Sequence, residues 1–271
     1  MATQENVQIE SITPKKAEAY LAKNTSNRNV RQGRVNSYAA DMTNGDWQFN
    51  GDAIRFAKDG TLLDGQHRLL AIIQSGVTVK MLVIRNLDNT TQHTMDTGAH
   101  RSFSDVLKLR GEKHYVGLAS AVRSIHLWES GSRRLGQGTA SVTNSQLLAT
   151  LDKHPWIREA IPLLSRVSEH ARIPMTALGA LYFAFVQIDA EDCDFFFEKL
   201  TADFNGALPQ PIFMLRKSLK ALEENVKGQR NVTYIAALTV KAWNAFRSGD
   251  EIGQLRFRPG GASPEAFPEP K

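Results

Sequence analysis

The stretch Leu62-Leu63-Asp64-Gly65-Gln66-His67-Arg68-Leu69-Leu70-Ala71 constrains this chain more than any other. Thr61, Leu62 and Leu63 are β-branched or apolar, as a buried strand requires. Asp64-Gly65 is a turn pair, because glycine tolerates backbone angles that strain other residues. From Gln66 onward Leu69, Leu70, Ile72 and Ile73 recur at helical spacing, and Gly76 stands where a helix-ending glycine would. The pattern predicts a buried strand, a tight turn and a helix start within a few residues.

Such a junction carries chemistry. The first amides of a helix have no partner inside it and lie at the positive end of its dipole, so an anion binds there readily. Arg68 offers a planar fork of donors that suits a phosphate, and His67 can donate a hydrogen bond or move a proton near neutral pH. The local expectation is a phosphate pocket built from the turn amides, Arg68 and His67. Asp64 does not suit a bare anion site. It would either cap the helix through the Gln66 or His67 amide or hold a Mg2+ that travels with the phosphates. The alternative is a surface strand, turn and helix with a capping aspartate and no ligand.

With 271 residues the chain can bury one large core or two smaller ones. No apolar run approaches the roughly 20 residues of a membrane span. The polar segment Met1 to Glu10 lacks an apolar signal region, so export is not expected. The single cysteine, Cys193, has no internal partner for a disulfide, and it sits before three Phe, where a structural thiol is expected. A cytoplasmic setting follows. The net charge of +5 is a mild basic excess that permits nucleotides or nucleic acid without demanding them. The seven His show no metal-ligand spacing, and no Walker A, nucleophile-elbow or dinucleotide fingerprint occurs.

In chain order, a strand is expected at Val7–Ile12, then a helix opened by Thr13-Pro14. The segment Asn27-Arg28-Asn29-Val30-Arg31-Gln32-Gly33-Arg34 brings three Arg together just before an amphipathic helix that ends at Asn44-Gly45. It is either a solvated loop or a second source of phosphate contacts, with Arg28 or Arg31 reaching the same anion as Arg68. Ala53–Ala57 alternates as a strand, Asp59-Gly60 turns it into the next, and Val77–Arg85 is the most β-like run of all. Met95-Asp96-Thr97-Gly98-Ala99 has the string of an aspartic protease, but such enzymes need two carboxylates sharing one proton. A turn at Thr97-Gly98, with Ser102 or Ser104 capping a following helix, is expected instead. From about residue 103 helical periodicity takes over, in runs at 114–128, 144–153, 156–169, 175–187, 194–202, 212–226 and 232–246. The loop at 131–141 carries Arg133 and Arg134. The Pro/Gly-rich tail from Gly249 is expected to be irregular, with Arg256-Phe257-Arg258 either on a phosphate backbone or packed back through Phe257. The fold class predicted is α+β: a mixed-sheet domain over 1–102, a helical domain over 103–248 and a tail over 249–271.

Asn27-Arg28, the helix with Ala39 and Asp41-Met42, Gly45-Asp46-Trp47, the strand at Ile54 and Asp64-Gly65-Gln66-His67-Arg68 together resemble the N-terminal domain of the ParB/sulfiredoxin superfamily. The nearest likeness is to the phage and mobile-element ParB-like group whose middle reads Asp-Gly-Gln-His-Arg-Leu. Asp96-Thr97-Gly98 with Arg101 and Asp105-Val106-Leu107 resembles that group's continuation. The resemblance covers roughly the first 110 residues. It implies a nucleoside triphosphate site for ATP or CTP with Mg2+, with Gly65, Gln66, His67 and Arg68 on the phosphates and Arg28 or Arg31 approaching from the loop. Gln66 stands where sulfiredoxins carry a reactive cysteine, so sulfinic reductase chemistry is not implied. Gln66-His67-Arg68 also departs from the Glu-Arg-Arg of partition proteins.

The function expected is nucleotide-dependent work on DNA, as a binding switch or through hydrolysis or phosphoryl transfer. In the latter case Asp64 would hold Mg2+ and His67 would orient or trade a proton. Arg101, Arg133 and Arg134 are the candidate DNA contacts, and a homodimer is left open. A ParB-like metal-dependent nuclease and a non-enzymatic DNA-binding protein are the alternatives.

Overall fold

The computed structural model describes residues 6–25, 27, 29–95, 101–136, 142–202, 208–225 and 231–271. The fold is α+β, a small mixed sheet with helices near the N-terminus followed by a mostly helical region. Two compact units divide it, one of residues 1–101 with 139–146 and the other of residues 102–138 with 147–271. The Asp96–Ala99 turn falls outside the described residues. Among the described residues no helix is long and apolar enough to cross a membrane.

The first unit opens with β1 (Asn6–Ile12), α1 (Pro14–Leu21) and α2 (Gln32–Asn44). Then come β2 (Ala53–Ala57), β3 (Leu62–Asp64), α3 (Gln66–Ser75) and β4 (Val79–Leu87). The sheet order is β1-β4-β2-β3, with β4 antiparallel to β1 and parallel to β2, and β2 antiparallel to β3. The β2–β3 hairpin turns at Gly60, as Asp59-Gly60 predicts, with the Thr61 amide donating to Asp59 Oδ1 at 2.9 Å. The helices lay Ala17, Val35, Ala39, Met42, Leu69 and Ile72 on the sheet residues Ile12, Ile54, Phe56, Leu62, Met81 and Val83, all buried. Thr13 caps α1 and Gly45 ends α2 in the left-handed conformation, so both boundary signals act as predicted.

One polar cluster ties β1, β4 and α1. Glu10 accepts from Arg85 Nη1 at 2.6 Å, from the Tyr20 hydroxyl at 2.6 Å and from Lys16 Nζ at 2.7 Å. Burial by itself would raise the Glu10 carboxyl, but donors from Arg85, Lys16 and Tyr20 outweigh it and hold the pKa at about 2. A carboxylate held below its ordinary 4.5 stabilises the fold above pH 4.5 and loses that contribution as pH falls toward 2. Glu10→Gln is therefore expected to destabilise the protein by about 2 kcal/mol at pH 7. Urea unfolding at a series of pH values should show the gap to wild type closing between pH 4.5 and 2. A gap independent of pH would refute the assignment.

The second unit contains α4 (Phe103–Leu109), α5 (Tyr115–Glu129) and the greater part of α6 (Asn144–Lys153), then α7 (Ile157–His170), α8 (Met175–Val186), α9 (Ala190–Thr201), α10 (Gln210–Asn225) and α11 (Val232–Ser248). Ser102 closes a reciprocal capping box with Asp105, so of the two candidate caps for α4 it is Ser102 that serves. Helix α9 starts at Ala190, four residues before the apolar pattern suggests, because Asp189 accepts from the Asp192 amide and caps it. Helix α8 is buried from Ala177 through Phe185 and forms the centre of the unit. Phe185 stacks on Trp243 with ring centres 4.3 Å apart, and Phe196 meets the same indole edge-on at 5.6 Å.

Residues 249–271 form no helix or strand, yet they are integral to this unit. Leu255 and Phe257 are buried, Phe267 meets Trp128 edge-on, and Trp243 Nε1 donates to the Lys271 carbonyl at 3.0 Å. Of the two readings of Arg256-Phe257-Arg258, packing through Phe257 is the one observed.

Candidate functional site

Strand β3 ends at Asp64 and α3 begins at Gln66, so Gly65 alone makes the turn between them. Its φ is +110°, and a β-carbon there would lie 3.2 Å from Ile54 Cγ1 and 3.3 Å from Ile54 Cα. Glycine is needed both for the angle and for the close approach of β2.

Asp64 organises the corner. Its Oδ1 accepts from the Gly65 amide at 2.7 Å, and its Oδ2 accepts from Arg55 Nη1 at 2.5 Å and from Arg68 Nη2 at 3.0 Å. Register produces this arrangement, because Arg55 faces Asp64 across the β2–β3 ladder and Arg68 lies four residues further along. Arg68 Nη2 also donates to the Ala53 carbonyl at 2.8 Å, and its Nη1 lies 3.5 Å from Asp52.

Two expectations are corrected here. Asp64 caps neither the Gln66 nor the His67 amide; it takes the Gly65 amide. Its Oδ1 takes one donor and its Oδ2 takes two. Arg68, with a side chain only 12% exposed, is drawn onto Asp64 and the Ala53 carbonyl instead of standing out for a phosphate. A guanidinium this deep needs a carboxylate and carbonyls to offset its lost hydration, and the strand ends supply them.

His67 and Gln66 also turn inward, at 5% and 4% exposure. His67 Nε2 accepts the Arg31 amide at 3.0 Å, so that nitrogen acts as an acceptor and the ring proton belongs on Nδ1. His67 is thus buried, with Nε2 committed to the Arg31 amide. Gln66 Oε1 accepts from Asn24 Nδ2 at 3.2 Å. Asn27 Nδ2 reaches Asn24 Oδ1 and the Leu62 carbonyl, each at 2.7 Å. Gln92 Nε2 reaches Asn27 Oδ1 and the Leu63 carbonyl, each at 3.1 Å. The loop after α1 is thereby stitched along β3 and the start of α3.

Arg31 lies immediately before α2, with its amide on His67 and its residue surface exposed. Among the described residues its guanidinium has no ion-pair partner. Arg28 falls outside the described residues. No family model, curated protein or solved structure matches this chain. The corner is a latch of inward-facing residues that carries an exposed arginine.

The DNA candidates separate. Arg101 is exposed, with its carbonyl accepting from Asn144 Nδ2 at 3.4 Å. Arg134 is exposed in the second unit. Arg133 is not available in the same way, because it forks onto Glu269 with two bonds of 3.1 Å and lies 3.8 Å above the Trp128 ring. Its role here is to hold the tail. Among the described residues no three His, Cys, Asp or Glu form a group that could hold a metal ion.

Sequence reasoning did not single out Arg55, Asn24 or Gln92, and it named Asn27 for the resemblance without assigning it these contacts. For Arg55 a signal existed, a charge centred in an otherwise apolar strand that pairs with the strand ending in Asp64. The two Asn and Gln92 carry no such signal, since polar residues in loops are ordinary.

Proposed function

We propose that this chain is a ParB-like protein that binds a nucleoside triphosphate where the arginine loop meets the start of α3, and that it binds or acts on DNA. The observation that carries the reading is the hydrogen bond from the Arg31 amide to His67 Nε2. It holds an exposed arginine beside the first turn of a ten-residue helix, the end where the dipole favours negative charge. Within this reading the Asp-Gly-Gln-His-Arg string builds the corner, and the phosphates meet Arg31 and main-chain donors. ATP and CTP are the nucleotides that the family resemblance suggests. The proposal is one of binding, because Asp64 and His67 are both engaged in holding the corner together.

Calorimetric titration with ATP and CTP tests it. Arg31→Ala should weaken binding about 10-fold or more, the value of one charge-assisted contact of about 1.5–3 kcal/mol. Since Arg31 is exposed, the variant should fold as wild type does. Equal affinity in the two proteins, or no heat of binding in wild type, would refute the proposal.

A further inference from the structure

A pocket of about 460 Å³ lies in the helical unit, between the C-terminal end of α7 and the solvent side of α10. Ile212, Leu215 and Leu219 bury one face of α10 in the core. The other face presents Phe213, Arg216, Lys217 and Lys220 to the pocket. This is helical spacing, so the cations recur about once per turn, about 6 Å apart along the axis. Arg172 adds a fifth lining side chain from two residues past the end of α7.

The charges are unequal. Arg172, Arg216, Lys217 and Lys220 stand against Glu169 and Glu223. Arg172 Nε lies 3.5 Å from Glu223, and Arg216 Nη1 donates to the Ala202 carbonyl. Lys217 and Lys220 are exposed and, among the described residues, have no ion-pair partner. Phe213 is 41% exposed beside them. Arg172 has a φ of +57°, a left-handed angle at a helix end where glycine is the usual residue. An arginine there accepts local strain of about 1 kcal/mol that glycine would avoid, and such outliers gather at binding sites.

We infer that this pocket takes the phosphate backbone of a nucleic acid. Cations about one turn apart suit repeated phosphates, and a partly exposed aromatic ring one turn before them on the same helix suits a sugar or base face. The inference rests on the DNA half of the function proposed above and names its surface, separate in the chain from Arg101 and Arg134.

Fluorescence anisotropy with labelled single- and double-stranded 20-mers, on the full chain across a salt series, tests it. Lys217→Glu/Lys220→Glu is compared with Lys108→Glu/Lys113→Glu, a control with the same change of net charge at exposed positions of the same unit. The pocket variant should lose at least 10-fold in affinity for one or both oligonucleotides and lower the salt slope by about two. The control should lose no more than about 3-fold. Equal losses in the two variants would overturn the pocket and leave DNA binding standing. No binding by wild type would overturn both. Lysine-dependent binding of pyrophosphate without any oligonucleotide binding would mark a small-anion site and overturn the nucleic-acid assignment.

Discussion

Gly65→Ala is expected to destabilise the first unit by about 3 kcal/mol, two contributions adding in one direction. The backbone sits at φ +110°, where a side chain costs about 1–2 kcal/mol. The new methyl would also stand 3.2 Å from Ile54 Cγ1 and 3.3 Å from Ile54 Cα, and β2 cannot yield easily because it is paired on both sides. The same step breaks the geometry in which the Gly65 amide reaches Asp64. Hydrogen exchange followed by mass spectrometry should show lost protection over β2, β3 and α3. Wild-type protection there would mean that the turn is looser than its angles state.

Gly179→Ala should cost about 3 kcal/mol or more in the second unit. The sign is the sharper part of this expectation. In an exposed helix the change stabilises by about 1 kcal/mol. Here a β-carbon would lie 2.4 Å from Ala121 Cα and 2.5 Å from Ser124 Oγ, so α8 and α5 would have to part. Backbone on the facing helix cannot move aside as a flexible side chain can. Urea unfolding followed by near-ultraviolet circular dichroism would measure it, because Trp128, Trp156 and Trp243 all belong to this unit. An unchanged or raised midpoint would contradict the close crossing.

Much of the fold was legible in the residues because its signals are local. The strand, turn and helix around Gly65, the hairpin at Gly60 and the left-handed ends at Gly45 and Gly76 follow from which residues tolerate which backbone angles. Helix α8 was legible as a helix, since its apolar pattern is long, yet nothing in the pattern says that Gly179 must be bare. That depends on what another helix brings opposite it. The candidate site shows the same divide. The composition of Asp64-Gly65-Gln66-His67-Arg68 suggests ligand chemistry, but whether a guanidinium faces outward depends on acceptors elsewhere in the chain. Ala53, Asp52 and Asp64 supply them, and Arg68 goes to those partners. Arg133 differs from expectation for a similar reason, because Glu269 lies 136 residues away in sequence and no local pattern joins the two. Asp52, the residue just before β2, lies 3.5 Å from Arg68 and adds to that set of acceptors.

The central proposal is that the Arg31 loop, held by its amide on His67 Nε2, forms one wall of a nucleotide site. Nuclear magnetic resonance of the amides of the 271-residue chain during titration with ATP and with CTP tests it most directly. The account predicts saturable shifts concentrated at Arg31, Gly65 and the first turn of α3 for at least one nucleotide, with saturation moved to a nucleotide concentration about 10-fold or more higher in Arg31→Ala. Shifts confined to other segments, or none at all, would contradict it.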